Sequence, residues 1–295
     1  MSIKHYRLGC AIWSNREWIG RFFTATARAG DFLSQYSAVF NTVEGNNTFY
    51  GLPRHDVVAR WRDEAAEGFH FCFKFPRVIS HDLRLCHAEA ETLEFLQRME
   101  GLGERLGPFF LQLPAQFGPW DLPVLEEYLA GLPGDFRYAV EVRHKDFFAA
   151  GGEAYALDRL LQDYGVDRVI LDSRALFSAV ADDADTQKAQ RRKPRLPVPK
   201  VIITQERPLV RFIGHPDEQA NQVFLEFWVK QVIDWIIAGK TPYIFIHTPN
   251  NQQAPAVARL FHELLDAQFA QEGVGKLPEW PALTFQQQGQ LGLFW

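Results

Sequence analysis

The chain has 295 residues, 47% of them hydrophobic and 23% charged, and a net charge of −5 at pH 7. This length is enough for one large core, and the negative charge disfavours a generally nucleic-acid-binding surface while leaving room for a local basic site. No stretch approaches the roughly 18 apolar residues of a membrane span. The cysteines, Cys10, Cys72 and Cys86, lack C-x-x-C spacing and fit free thiols, so we expect a cytoplasmic protein without a membrane partner.

Short apolar strands alternate with helical segments along the chain. The predicted strands are residues 6–12, 39–44, 69–75, 109–113, 138–142, 168–171, 209–213 and 243–246. The predicted helices are residues 30–37, 53–66, 88–105, 122–132, 153–164, 222–238 and 254–271. Because strands that alternate with helices are typical of a parallel sheet, eight repeats in this length favour a single α/β domain over 1–295, a closed (β/α)₈ TIM-like barrel.

The connection after the sixth strand departs from this alternation. Residues 173–208 lack helical periodicity and contain a basic segment, residues 188–195, followed by Pro197 and Pro199. We therefore predict a long loop, about 173–208, that forms a lid-like insertion beside the carboxyl end of the barrel. The basic segment is either a solvated part of this loop or a clamp on a polyanion.

Polar side chains lie at or near the end of most predicted strands. They are Glu44, Lys74, Gln112, Glu141, Asp172, Arg211 and His247. Because functional groups of a TIM barrel lie at the carboxyl ends of its strands, we expect these side chains to converge. Strand alternation puts Glu44 and Asn46 on one face, and Glu141 and Arg143 on one face.

Several of these strand ends carry motifs that resemble those of one family. The motifs are Gly9-x-x-x-Trp13, Phe40-Asn41-Thr42-Val43-Glu44-x-Asn46-x-Thr48-Phe49-Tyr50, Lys74-x-Pro76-Arg77-x-Ile79-Ser80-His81, Gln112-Leu113-Pro114, Glu141-x-Arg143-His144 and the closing Gln290-Leu291-Gly292-Leu293-Phe294. In these positions the chain is similar to the YecE-like family, domain of unknown function 72. The resemblance implies a TIM barrel and no established reaction.

The chain also departs from the pattern of that family. Gly45 stands where a branched apolar residue is expected, and Ala115 stands where a second proline is common. Lys145-Asp146-Phe147 stands where Ser or Pro followed by Trp is frequent. These departures concern the local shape of the barrel mouth.

Glu44 and Glu141 are candidates for an acid/base pair, and Lys74 and Asp172 are the other catalytic candidates. Two carboxylates in unlike environments can have their pKa values pushed apart, which such chemistry requires. The alternative is that each carboxylate only pairs with a nearby cation, for example Glu141 with Arg143 or Arg211.

Cations near the strand ends point to an anionic ligand. Arginine forks match phosphate or carboxylate, and free N–H groups of the loop Asn250-Asn251, before a predicted helix, favour an anion. The alternative is that the cations balance the acidic groups. The predicted binding residues are Asn46, Tyr50, Arg77, His81, Gln112, Arg143, Arg211, His247 and Asn251.

The favoured interpretation is an enzyme that acts by acid/base chemistry on a small anionic substrate, a phosphorylated or acidic sugar. The alternative is a nucleic-acid-binding or processing protein, by fold-level analogy with TIM-barrel endonucleases. A divalent metal is less favoured, because the histidines lack H-x-x-x-H and H-E-x-x-H spacing. No G-x-G-x-x-G or Walker loop is present, so no nucleotide cofactor is predicted, and the sequence does not identify another cofactor or the oligomeric state.

Overall fold

The computed structural model describes residues 3–149, 151–196, 201–269 and 273–284. Within these residues there are eight strands, which confirm the eight predicted positions. They are β1 (Arg7–Cys10), β2 (Thr42–Gly45), β3 (His70–Phe73), β4 (Phe109–Gln112), β5 (Tyr138–Glu141), β6 (Asp167–Asp172), β7 (Leu209–Ile213) and β8 (Tyr243–His247). Every paired strand is parallel to its neighbour.

Helices separate most of the strands, as the alternating pattern predicts. The α-helices of the described ranges are α1 (Phe32–Ser37), α2 (His55–Glu64), α3 (Glu89–Glu100), α4 (Leu122–Ala130), α5 (Gly152–Asp163), α6 (Arg174–Ser178), α7 (Ala184–Arg192), α8 (Gln222–Ile237) and α9 (Ala254–Gln268). The predicted helix over 88–105 is shorter than expected, because Gly103 has a φ of +57° and only a 3₁₀ turn, Gly103–Arg105, follows it. In the described part of the chain, no helix is long and apolar enough to cross a membrane.

The strands form two parallel sheets where one closed eight-stranded sheet was expected. Six strands form a half-barrel sheet in the order β1-β8-β7-β6-β5-β4, and β2 pairs with β3. Between β1 and β2, the side chain of Asn41 takes the place of backbone hydrogen bonds. Its Oδ1 accepts a hydrogen bond from Leu8 N at 2.8 Å, and its Nδ2 donates one to Tyr6 O at 2.9 Å. On the other side, Phe75 N donates to Phe110 O at 3.0 Å next to β4. The molecule is therefore an α/β fold with these contacts between its two sheets.

Strand alternation separates an inner face from a face that packs against the helices. The inner face is a cluster of buried side chains from six strands, namely Cys72, Phe110, Ala139, Val169, Leu209, Tyr243 and Phe245. Side chains two positions further along these strands lie on the same face, nearer the carboxyl ends. This arrangement brings Lys74, Gln112, Glu141, Arg211 and His247 to one end of the inner face.

The segment between β6 and β7 is not the structureless loop that was predicted. It contains α6 and α7, and Asp183 caps α7 by accepting hydrogen bonds from Asp185 N and Thr186 N, both at 2.9 Å. Ser173 Oγ donates to Pro194 O at 2.7 Å and so holds the end of the segment against the start of α6. The prediction missed α7 because this helix is polar and has no apolar periodicity. Pro197, Pro199 and the closing motif 290–294 lie outside the described residues.

Phe73 explains why glycine is found at position 45. A Cβ added to Gly45 would lie 2.3 Å from Phe73 Cδ1. The buried Phe73 ring is stacked on Trp61 and on Phe71, with centroid distances of 5.4 and 5.5 Å. The aromatic ring thus occupies the space that a branched side chain at position 45 would need.

We expect Gly45→Val to lower the free energy of unfolding by about 1–3 kcal/mol, because it overpacks this site. Phe73→Leu in the same chain should recover part of that loss by making room. Urea denaturation of the two single variants and the double variant measures the coupling. Gly30→Ala, where an added Cβ meets open space, is the control. Purely additive effects of the two substitutions would contradict the packing explanation.

Candidate functional site

Three charged side chains from β2, β5 and β7 meet at the carboxyl end of the inner face. Arg211 donates from Nε to Glu44 Oε2 and from Nη2 to Glu44 Oε1, both at 2.7 Å, and from Nη1 to Glu141 Oε2. All three residues are buried, with exposed fractions of 0 to 2%. We call this group the Glu44–Arg211–Glu141 cluster; it joins the two sheets through one guanidinium.

Neighbouring polar groups complete the hydrogen bonds of the two carboxylates. Asn46 Nδ2 donates to Glu44 Oε1 at 2.6 Å, and His247 Nε2 lies 3.0 Å from Glu44 Oε2. Because an ionised carboxylate only accepts, His247 carries the proton on Nε2. Arg143 Nε donates to Glu141 Oε1 at 2.8 Å. All four carboxylate oxygens therefore have a donor.

The charges around the two glutamates keep both of them ionised. Burial alone would raise the pKa of Glu44, but the charge of Arg211 and the hydrogen bonds from His247 and Arg211 hold it well below its ordinary value. Burial opposes ionisation of Glu141 too, and Arg211 and Arg143 overcome it and lower the pKa to about 2. A carboxylate that stays ionised and is held by buried cations is poorly placed for acid/base catalysis at neutral pH, so the geometry favours the ion-pair interpretation of Glu44 and Glu141.

Lys74 lies beside this cluster with a different set of partners. Its Nζ donates to Gln112 Oε1 at 2.9 Å and lies 3.6 Å from the centroid of the Phe49 ring. Arg143 Nη2 donates to the same Gln112 oxygen at 2.7 Å. Among the described residues, no carboxylate lies within ion-pair distance of Nζ, although Lys74 is only 7% exposed. Burial, and then the charge of Arg211, lowers the pKa of Lys74 to about 7.

A cleft of about 880 Å³ opens above these groups. The cationic side chains that line it, within the described ranges, are Lys74, Arg77, Arg143, Lys188, Arg192, Lys193 and Arg211. Asp185 is the acidic side chain in the same lining. The cleft is therefore strongly positive in a chain whose net charge is −5.

All of the other predicted binding residues line the cleft too. Tyr50 is 82% exposed at the cleft, and Arg77 there pairs with Asp82 at 3.2 Å. His81 lies with its Nδ1 2.8 Å from Ser80 Oγ, and burial lowers the pKa of this imidazole to about 4. Burial likewise lowers the pKa of His247 to about 4.

Two predicted features do not fit the cleft as expected. Asp172 does not line the cleft. Val169 belongs to the inner face, so strand alternation turns Asp172 to the opposite face. There Trp228 Nε1 donates a hydrogen bond to Asp172 at 2.8 Å. Arg174 Nη2 also donates to Asp172 at 2.8 Å. Asn251 lines the cleft, but its backbone N–H donates to Thr248 O at 3.1 Å and so does not point freely at an anion.

Sequence reasoning missed the contribution of α7. Lys188 and Arg192 on this helix, and Lys193 at its end, line the cleft together with the strand-end residues. Burial, and then Arg211, lowers the pKa of Lys193 to about 7. The sequence predicts that this run of cations lies beside the carboxyl end of the barrel, but it predicts a loop there and does not name Lys188, Arg192 or Lys193 as binding residues. In the described part of the chain, no group of three or more His, Cys, Asp or Glu side chains is arranged to hold a metal ion.

Arg211→Ala should destabilise the fold by about 3–5 kcal/mol, because it leaves two buried carboxylates without their shared cation. Adding Glu44→Gln and Glu141→Gln to this variant should recover part of the loss, since the uncompensated charges are removed. Arg159→Ala is the matched control on an exposed side chain. Chemical denaturation at neutral pH measures all of these, and equal stabilities of Arg211→Ala and the control would contradict a structural role for the cluster.

Comparison with known proteins gives the family of this chain. Residues 7–282 match the profile of the family described as "Protein of unknown function DUF72". The chain is 42% identical over 274 residues to UPF0759 protein YecE of Escherichia coli (strain K12), covering 93% of this chain and 97% of that protein.

Solved structures with the same fold have far lower sequence identity. A DUF72 family protein of Enterococcus faecalis V583 has a TM-score of 0.67 and 18% identity, covering 93% of this chain and 99% of that one. A DUF72 family protein of Thermotoga maritima MSB8 has a TM-score of 0.63 and 21% identity, covering 88% and 99% of the two chains. The profile match and the similarity to YecE show that the chain belongs to the DUF72 family, a family of proteins of unknown function.

Proposed function

We propose that this protein is an enzyme that binds a small anionic substrate, such as a phosphorylated or acidic sugar, in the positive cleft and transfers protons through Lys74. The observation that carries the proposal is the charge of the cleft. Within the described residues, seven cations line the cleft. Asp185 also lines it, Glu44 and Glu141 lie beneath it, and Asp82 pairs with Arg77, which leaves three positive charges in excess. One positive charge remains in excess even if Lys74 and Lys193 are both neutral.

The direct contacts to the anion fall to residues other than Arg211. Nε, Nη1 and Nη2 of Arg211 each donate a hydrogen bond to Glu44 or Glu141, and the residue is only 2% exposed, so we assign this guanidinium to fixing the site. Arg143, Arg192 and Lys193 also line the cleft. A guanidinium fork can hold a phosphate or carboxylate in two parallel hydrogen bonds, so the exposed Arg192 is the proposed primary anion ligand. Arg143 already donates from Nε to Glu141 and from Nη2 to Gln112, so we assign it a single hydrogen bond to the anion from Nη1.

Lys74 is the group best suited to move a proton. A general acid or base works best when its pKa is close to the operating pH. The pKa of Lys74 is about 7, because burial and the charge of Arg211 lower it, whereas Glu44 and Glu141 stay ionised. The exposed Tyr50 ring at the rim supplies a flat apolar surface for a sugar.

We also infer that the eight strands act as one closed (β/α)₈ barrel in a single domain over 1–295. The two hydrogen bonds of the Asn41 side chain across β1 and β2 support this inference. The bond from Phe75 N to Phe110 O supports it on the opposite side. The Glu44–Arg211–Glu141 cluster, which spans the two sheets, would then lie across the barrel mouth.

Nucleic-acid binding is the second candidate function. The end of α7 carries the exposed Arg191 and Arg192, and Tyr50 and Trp120 are aromatic side chains with exposed fractions of 82 and 66%. Such a combination of cations and aromatic faces suits a single-stranded polyanion. The net charge of −5 favours the small anion instead.

Arg192→Ala should weaken the binding of inorganic phosphate by about tenfold or more, since one charge-assisted hydrogen bond contributes about 1.5–3 kcal/mol. Isothermal titration of the wild type, this variant and Arg159→Ala gives the comparison; the control removes an exposed arginine on α5, outside the cleft. Arg192 is exposed, so its loss should leave the fold intact.

The same titration separates the two candidate functions. A short single-stranded oligonucleotide that binds more tightly than phosphate, with affinity that falls steeply with salt, would favour the nucleic-acid alternative. The absence of phosphate binding at millimolar concentration, or an equal loss in both variants, would contradict the small-anion site.

A further inference from the structure

We propose that Lys74 is a covalent catalytic residue, whose Nζ forms an imine with an aldehyde or ketone substrate that also carries a phosphate or carboxylate. The inference rests on the proposed function, since the cations of the same cleft would hold the anionic group. It goes further by assigning the class of substrate and the bond that forms. The supporting observations are the burial of the amine, its partners and its position in the cleft.

The amine of Lys74 is buried, and no carboxylate of the described ranges lies within ion-pair distance of it. The charged groups around it are Arg211 on β7, Glu44 on β2, and Glu141 and Arg143 at the end of β5. Both carboxylates are engaged by Arg211, and their remaining donors are Arg143, Asn46 and His247. A buried ammonium in such surroundings pays for desolvation without an ion pair, so the neutral amine is favoured. The neutral amine is the nucleophile that imine formation requires.

The fixed partners of Lys74 suit both the amine and the iminium. Gln112 Oε1 is itself held by Arg143 and accepts one N–H of Nζ, which leaves the nitrogen lone pair for a carbonyl carbon in the cleft. An iminium nitrogen keeps one N–H, which can donate to the same oxygen. The positive charge of the iminium would lie next to the Phe49 ring, whose centroid is 3.6 Å from Nζ. The face of an aromatic ring stabilises a nearby cation.

The covalent step balances with groups in the cleft. The lone pair of neutral Lys74 attacks the carbonyl carbon, the C=O π electrons move to oxygen, and one proton passes from nitrogen to oxygen to give the carbinolamine. A second proton then reaches the hydroxyl group, water leaves, and the nitrogen lone pair forms the C=N bond of the iminium. Lys193 lines the same cleft, and its pKa of about 7 allows it to supply that proton. Glu44 and Glu141 are ionised and have no proton to give.

Reductive trapping tests the proposal directly. The full chain is incubated at pH 7 with sodium cyanoborohydride and one of four probes: dihydroxyacetone phosphate, glyceraldehyde 3-phosphate, pyruvate or uncharged dihydroxyacetone. Reduction turns an imine into a stable secondary amine, which peptide mass spectrometry assigns to one lysine. Lys230, exposed on α8 and outside the cleft, is the internal control, and Lys74→Arg keeps a cation but cannot form the imine.

We expect an anionic probe to label Lys74 at least about tenfold more than Lys230, because a much larger fraction of Lys74 is neutral at this pH. Inorganic phosphate should protect Lys74, and uncharged dihydroxyacetone should label it less. Labelling of Lys74 no greater than that of Lys230 with all three anionic probes overturns the proposal. Phosphate titration of the same preparation separates the two failures: retained phosphate binding leaves the anion site standing, whereas lost binding removes it too.

Discussion

One guanidinium shared by two buried carboxylates is the constraint on which this site depends. Arg211 holds Glu44 of the strand pair and Glu141 of the six-stranded sheet, and all three side chains are almost completely buried. Removing Arg211 leaves two carboxylates without their shared cation in a region of low dielectric, which costs far more than an exposed ion pair contributes. The cluster therefore fixes how the carboxyl ends of the two sheets lie against each other.

The same cluster determines which groups are left for chemistry. Because it satisfies both glutamates, the cleft above it is positive, and Lys74 is left with a neutral amide and an aromatic ring as its near partners. A buried lysine without its own carboxylate is costly for stability, and such local costs are commonly found at functional sites. In this account, the pair of glutamates that resembles an acid/base dyad is structural, and the lysine next to it is the reactive group.

Much of this arrangement could be predicted from the sequence, and the errors have physical causes. Strand alternation predicts that Glu44 and Asn46 share a face, and these two side chains are hydrogen bonded. The same rule places Asp172 on the face away from the cleft once β6 is known to extend to that residue and Val169 is known to face inward. The apolar run alone does not tell which of its residues face inward. The polar helix α7 has no apolar period and was missed, although Asp183 is a typical N-cap. The pairing of Arg211 with both glutamates depends on distances between strands that are remote in the sequence, which no local pattern contains.

The state of the Lys74 amine is the most direct test of this account. The pKa can be measured by NMR of protein labelled with ¹³C at the lysine Cε, with the signal of Lys74 assigned by its absence from Lys74→Arg. The account predicts a titration midpoint of about 7, because burial and then Arg211 disfavour the ammonium form. A midpoint close to about 10.4, the value of an unperturbed lysine, would contradict it, since Lys74 would then be an ordinary ammonium at neutral pH.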